Sequence, residues 1–451
     1  MVTARYWCES AWLGGDSAVD SVLVSVDDGR FSAVEPGVPC PEGARVLRGV
    51  VLPGLANAHS HAFHRALRGR TQVGSGSFWT WREQMYAAAA SLHPDSYQRL
   101  ARAVFAEMAM AGIACVGEFH YLHHDRNGRP YADPNAMGAA LVAAAADAGI
   151  RITLLDTCYL HGGLSEAGEY LQVNEVQRRF TDLSADRWIE RLGDAARLES
   201  SHCRLGAAVH SVRAVDPDSL AKVADLARSR GMVLHAHLSE QPAENEQCRA
   251  AHGRTPTQVF ADAGALTAGF TAVHATHLTD GDIGLLGGAR CTCCFCPTTE
   301  RDLADGIGPA RRLRDAGAAL SLGSDSHAVI DLLEEARAVE LDERLAANVR
   351  GSHDVPSLLR AAAVDGHRSL GWEDAGAIAV GQRADLVAVR LDTVRTAGAS
   401  PAARLATVAF AATAADIHTV IVDGRCVVED GHHLSIDVAG ELHASIVAVM
   451  S

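Results

Sequence analysis

The sequence predicts an α/β protein in two parts: a (β/α)₈ TIM-like barrel over residues 53–377, and a small β-sandwich domain built from both termini, residues 1–52 and 378–451. Three observations predict it. A chain of 451 residues is too long for one ordinary domain and suits a large barrel with a smaller module. Short apolar runs alternate with helix-like segments through the middle, the signature of parallel strands joined by crossover helices. Both ends read instead as short strands punctuated by turn dipeptides.

The β-rich ends come first. Ser21–Val26 is a strand pattern, and Asp27-Asp28-Gly29 is a turn signal. Near the other end, Ala384–Arg390 and Thr419–Val422 are apolar strand runs. Asp423-Gly424 is a hairpin turn, and Cys426–Val428 continues beyond it.

In the middle, eight runs are candidate barrel strands: Val50–Leu52, Cys115–Glu118, Arg151–Asp156, Leu205–Val209, Val233–His237, Phe270–His274, Arg290–Cys294 and Ala319–Leu322. Eight such units in this length imply a barrel with insertions. The alanine-rich runs Ala87–Ala90 and Ala143–Ala146 read as helix faces.

Composition narrows the function. Hydrophobic residues make up 48% and charged residues 21%, which supports a packed core. A net charge of -15 argues against nucleic acid or an anionic membrane as partner. A small anionic substrate fits if local arginines receive it. Lys222 is the only lysine among the basic residues. Eleven cysteines without a small-domain spacing fit a reduced, cytoplasmic setting. Met1 to Gly15 lacks a basic stretch followed by an apolar run, which predicts no signal peptide. No apolar stretch reaches membrane-spanning length. The sequence admits a homodimer as well as a monomer.

The informative pattern is where the polar residues fall. His59-Ser60-His61 follows the first run, and Glu118-Phe119-His120-Tyr121 the second. His210 and Arg213 follow the fourth, and His235 to Glu240 the fifth. His274 and His277 follow the sixth, and Ser324-Asp325-Ser326-His327 the eighth. The C-terminal ends of barrel strands converge on one mouth, where barrel enzymes place their chemistry.

His59 and His61 are two apart on an extended segment, so both imidazoles face the same way. With His237 and Asp325 they can supply three nitrogens and one oxygen to a metal and leave room for water. Glu240, three residues past His237, is suited to shuttle a proton to a departing amine. Asp325 can also take a proton from the water, and His274 can hydrogen-bond the tetrahedral centre. Arg213 and Arg82 are candidate carboxylate clamps, because a guanidinium grips a carboxylate with two parallel hydrogen bonds. The run Cys291, Cys293, Cys294, Cys296 is read as small buried residues: on a strand, alternate sulfurs face opposite ways.

These motifs resemble the amidohydrolase superfamily, and within it the formimidoylglutamate deiminases of bacterial histidine degradation. The likeness runs through Leu52-Pro53-Gly54, His59 to Phe63, Phe78-Trp79-Thr80-Trp81-Arg82-Glu83, and Glu118 to Asp125. It continues through His210 to Val215, His237 to Gln241, Val273 to His277, Pro297 to Glu300, and Gly323 to His327. The histidine motifs mark only the superfamily; the Phe-Trp-Thr-Trp-Arg-Glu and Glu-Phe-His-Tyr stretches are more specific.

The resemblance implies one zinc ion, with Fe²⁺ or another divalent ion accepted by the same ligands, held by His59, His61, His237 and Asp325. It implies Glu240 and His274 as the catalytic pair, with Asp325, around the hydrolytic water. It also implies that Tyr121, His210, Arg213 and Arg82 contact substrate. The implied reaction is hydrolysis of N-formimino-L-glutamate to N-formyl-L-glutamate and ammonia. A deaminase acting on a guanine-like or adenosine-like ring, or on formiminoaspartate, is the alternative. Two positions depart from the pattern. His64 stands where glutamine, a substrate contact, is usual, and Arg301-Asp302 follow Glu300 where Ala-Asn is usual. Two-metal members carry a bridging lysine after the fourth strand; here that strand ends at His210, which points to one metal.

Overall fold

The computed structural model describes residues 4–72 and 78–451. The side chains of Phe78, Trp79 and Thr80 lie outside the described set, so the aromatic stretch is followed from Trp81 onward.

Four strands open the chain: β1 (Ala4–Ala11), β2 (Val19–Asp27), β3 (Arg30–Glu35) and β4 (Arg45–Pro53). Next come β5 (Leu55–Ser60), β6 (Ile113–His120) and β7 (Arg151–Cys158). A small hairpin follows, β8 (Gly163–Leu164) with β9 (Tyr170–Leu171). The middle ends with β10 (Cys203–Val209), β11 (Leu234–Leu238), β12 (Phe270–His274), β13 (Thr292–Phe295) and β14 (Ala319–Leu322). The last strands are β15 (Leu386–Val389), β16 (Ile417–Val422), β17 (Arg425–Glu429) and β18 (His432–His433).

Strands β5, β6, β7 and β10 to β14 form one parallel sheet in the order β14-β13-β12-β11-β10-β7-β6-β5. A parallel bridge between Ser60 and Asp325 joins its edges into a barrel. Strands β5, β6, β7 and β11 are buried at every position, as expected of a sheet covered on both faces. The terminal strands make a second, mixed sheet in the order β18-β17-β16-β15-β4-β1-β2-β3. Its Asp28-Gly29 and Asp423-Gly424 turns have φ of 48°, 74°, 47° and 73°, the left-handed pairs that suit tight hairpins.

One expected barrel strand belongs elsewhere. Val50–Leu52 lies in β4, which pairs with β1 and β15 in the terminal sheet; the barrel begins at Leu55. The chain crosses between sheets at Gly54, where a Cβ would meet Asp385 Cβ at 2.6 Å and Ala114 Cβ at 2.7 Å. Apolar residues lie on both sides of Pro53-Gly54 at this crossing, so composition alone does not say which side enters the barrel.

Arg151, at the start of β7, ties the two sheets together. Its guanidinium is buried, pairs with Asp385, and reaches Asp423 Oδ1 at 3.0 Å. No helix is long and apolar enough to cross a membrane among the described residues. All eleven cysteines are free.

Candidate active site

The strand ends turn sharply where the predicted residues sit. Ser239, His274, Ala275, Asp325 and His327 all have positive φ, between 38° and 68°. Each costs on the order of 1–3 kcal/mol outside glycine, a strain that persists where surrounding contacts impose it.

These turns gather four side chains. The ligand atoms of His59, His237, His274 and Asp325 all lie within 4.8 Å of one another, and all four residues are buried. Asp325 Oδ1 is 3.2 Å from His59 Nε2 and 3.4 Å from His61 Nε2. His237 Nε2 is 3.2 Å from His59 Nε2. His274 Nε2 stands farther out, 4.0 Å from Asp325 Oδ2 and 3.9 Å from Glu240 Oε1.

The donor set fits a small divalent cation. Bonds of about 2.0–2.1 Å in a tetrahedron separate neighbouring donors by roughly 3.4 Å. His61 Nδ1 donates to the Phe119 carbonyl at 2.9 Å, and His237 Nδ1 donates to the His210 carbonyl at 3.0 Å. Those bonds fix the tautomers and leave both Nε2 lone pairs facing inward. Burial pushes His59 and His237 down, and His61 down to about 3, which favours the neutral imidazole that a cation would need. Burial alone would raise Asp325, but hydrogen bonding to His59 and the nearby imidazoles hold it below the usual carboxylate range.

His274 differs from the other three. Burial would push it down, but the Glu300 hydrogen bond and the charges of Glu240 and Asp325 hold it well above the usual imidazole value. Its Nδ1 lies 3.4 Å from Glu300 Oε1. A proton-carrying imidazole is a hydrogen-bond donor rather than a ligand.

A cavity of about 60 Å³ opens beside the cluster. Arg82, Tyr121, His210, Arg213, Glu240 and His64 all line it. Arg213 Nη2 is 2.9 Å from Glu240 Oε2, so the candidate clamp and the candidate proton shuttle are in contact. His64 Nε2 lies 3.1 Å from the Tyr121 hydroxyl, and the His64 ring packs 4.5 Å from that of His61. A second cavity of about 90 Å³ shares Arg82, Tyr159, His210 and Arg213 with the first. A larger cavity, about 710 Å³, lies on the terminal sheet; its Arg45–Glu429 and Arg390–Asp392 charges pair with each other.

Several neighbours carried no sequence signal. Tyr159 and Phe180 wall the cavity from distant parts of the chain. Glu244 accepts the Ser239 N–H at 3.0 Å and lies 3.6 Å from Arg213 Nε, bracing both sides of Glu240. Glu118 was visible as part of its motif, but its task was not. It accepts the Ser60 hydroxyl at 2.6 Å and the Ala62 N–H at 2.7 Å, clamping the chain on either side of His61. Burial pushes its pKa up to about 8.

The remaining histidines are held elsewhere. His235 Nε2 bonds the Ser369 carbonyl at 2.8 Å, and His277 Nε2 bonds the Asp305 carbonyl at 2.7 Å. The cysteine run is buried: Cys291 and Cys293 join the main core, while Cys294 and Cys296 pack with Ala58 and Val273.

Residues 50–427 match the amidohydrolase family model. The chain belongs to the amidohydrolase family. It is 37% identical over 417 residues to formimidoylglutamate deiminase of Pseudomonas aeruginosa, covering 90% of each chain. Among solved structures, an amidohydrolase from Brucella melitensis superposes with a TM-score of 0.91 at 30% identity, covering 99% of this chain and 100% of that one. An adenosine deaminase from Xanthomonas campestris with bound zinc shares the fold, with a TM-score of 0.82 at 23% identity, covering 99% of this chain and 97% of that one.

Proposed function

We propose that this amidohydrolase is a zinc-dependent deiminase that hydrolyses N-formimino-L-glutamate to N-formyl-L-glutamate and ammonia. The observation that carries the reading is the cavity itself: two arginines, Arg82 and Arg213, line the same small space as Glu240, His274 and Asp325. A purine ring calls for stacking and amide contacts; paired guanidinium groups suit a dicarboxylate. The 37% identity to a formimidoylglutamate deiminase supports the same substrate.

His59, His61, His237 and Asp325 would hold the ion. A divalent ion there would supply Lewis acidity and make water nucleophilic near neutral pH. The chain's own residues do the rest. Arg213 and Arg82 hold the substrate carboxylates and align the formimino carbon. Tyr121, His210 and His64 line the space around the backbone of the substrate. A carboxylate that engages Arg213 takes that guanidinium from Glu240 and leaves the Glu240 oxygen available to the formimino nitrogen.

Asp325 accepts a proton from the attacking water. His274, held in its proton-carrying form, hydrogen-bonds the oxygen of the tetrahedral centre. Glu240 relays to the terminal nitrogen the proton that left the water and then the proton of the tetrahedral hydroxyl; as the carbonyl forms, the C–N bond to that nitrogen breaks, and ammonia leaves with the formyl group intact on the amino acid. In this reading the enzyme acts in the cytoplasm, in histidine degradation, on a small anionic amino-acid derivative.

The test is ammonia release from a panel of N-formimino-L-glutamate, N-formimino-L-aspartate, guanine and adenosine, with metal content measured on the same preparation. Turnover confined to the formimino acids, with the glutamate compound preferred, is the expected result. Faster turnover of a purine would overturn the reading.

A further inference from the structure

Arg179 is among the largest fully buried side chains, yet the chemistry above makes no use of it. Among the described residues its hydrogen bonds go to main-chain carbonyls and to the Tyr131 hydroxyl, none to a carboxylate. Nε reaches the His124 carbonyl at 3.1 Å, Nη2 reaches Leu92 at 2.8 Å, and Nη1 bonds the Ala89 carbonyl. In return the Arg179 carbonyl accepts the His123 and His124 N–H groups at 3.0 and 2.9 Å.

These partners are not scattered. Ala89 and Leu92 lie at the C-terminal end of the helix Phe78–Ser91. Carbonyls in a last helical turn lack the usual i+4 partners and carry the negative end of the helix dipole; the Ala89 carbonyl takes only a long bond from the Leu92 N–H, at 3.3 Å, so a guanidinium satisfies it well. The same helix presents Trp81, Arg82, Met85 and Tyr86 to the cavity. His123 and His124 follow Tyr121, another cavity residue. In the same turn as Arg179, Phe180 lines the cavity and Gln177 supports one of its walls. Gln177 Nε2 holds the Tyr159 hydroxyl at 2.8 Å, and the Phe180 ring lies 5.0 Å from Tyr121 and 5.5 Å from Tyr159.

We propose that Arg179 is a positioning residue for substrate affinity: by joining the end of the helix Phe78–Ser91 to the turn after Tyr121, it sets where Arg82 stands over the cavity. Its planar fork serves three carbonyls in different directions, which neither lysine nor glutamine can reproduce. Removing it leaves buried carbonyls unsatisfied and lets the helix shift relative to the barrel. A contact to a remote carboxylate acts alike on bound substrate and transition state, so its displacement changes KM more than kcat. This inference rests on the reading of Arg82 as a carboxylate clamp.

The experiment compares wild type, R179Q, R82A and R82A/R179Q on N-formimino-L-glutamate, with metal content and amide hydrogen exchange over residues 81–91. R179Q is expected to raise KM about tenfold, to change kcat less than about threefold and to keep its metal. Exchange over residues 81–91 should quicken while the barrel strands stay protected. In the R82A background R179Q should change KM by less than about twofold, because the two residues act through one contact. An unchanged KM in folded R179Q overturns the proposal, as does a full-sized R179Q effect on top of R82A. If R179Q does not fold, R179K replaces it; a KM raised about threefold supports the proposal and an unchanged KM overturns it. If the wild type turns over none of the formimino acids, the proposed function fails. The hydrogen-exchange comparison, which needs no substrate, then decides the Arg179 contact separately.

Discussion

The mouth of this barrel holds two histidine–aspartate clusters, and they differ in what already neutralises the aspartate. In one, His59 and His61 turn Nε2 toward Asp325 at 3.2 and 3.4 Å, with His237 Nε2 3.2 Å from that of His59, and the hydrogen bonds of the described residues bring no guanidinium to the carboxylate. In the other, His120 and His123 lie within ligand distance of Asp156. There Arg191 grips both oxygens of Asp156 at 2.7 and 2.8 Å, and Trp188 Nε1 adds a bond at 2.8 Å. Arg191 also binds Asp182, which holds His124 at 3.0 Å. The same residue types thus make an open donor set in one place and a saturated buttress in the other. A metal centre needs a carboxylate whose charge nothing else has neutralised.

The comparison can be broken most decisively at the aspartates. Asp325→Asn should lower kcat by about 10⁴-fold and release the ion, read by ammonia assay and metal analysis. Retained metal and activity would show that the open cluster is not the centre. Asp156→Asn should leave metal content unchanged and instead cost about 3–5 kcal/mol in urea unfolding, because it strands part of the buried Arg191 charge. Metal loss in that variant would erase the distinction drawn between the clusters.

A smaller effect sharpens the buttress. Burial pushes His123 down to about 4, below its usual value of about 6.5. Between those pH values the unfolded chain takes a proton that the folded chain refuses, so stability falls as pH drops through that window. The contribution is about 3 kcal/mol for so buried a group. The variant His123→Asn should flatten the fall in Tm between pH 6.5 and 4 relative to wild type; an unchanged slope would show that His123 does not titrate there.

The last test lies beside the open cluster. Arg213→Ala should raise KM by about a hundredfold, roughly 2.7 kcal/mol, with metal content intact. Loss of metal in that variant would make Arg213 a structural support of Glu240 rather than a substrate contact.

How much of this could be read beforehand differs from residue to residue. The histidines at strand ends were legible because two periodicities coincide: apolar runs mark the strands, and polar residues mark where they stop. The first barrel strand was misplaced because apolar residues flank Pro53-Gly54 on both sides, and the close approach at Gly54 decides where the chain passes from one sheet to the other. Phe180, Tyr159 and Glu244 carried no signal, since their roles arise from loops that meet across the mouth. The spacing of His120 and His123 differs from the two-residue step of His59 and His61, but that Asp156 is saturated by Arg191, far downstream, is not visible along the chain.

By itself, then, the sequence determined the barrel, the small domain shared by both ends, and which histidines and carboxylates at strand ends reach the mouth. Local patterning settles these, because burial and strand alternation repeat within short windows. Tertiary structure alone decided which aspartate is neutralised by a guanidinium, where the backbone bends into left-handed turns, and how Arg179 fastens a helix over the cavity. Each of these depends on side chains far apart along the chain coming within hydrogen-bond range, and only the closed barrel brings them there.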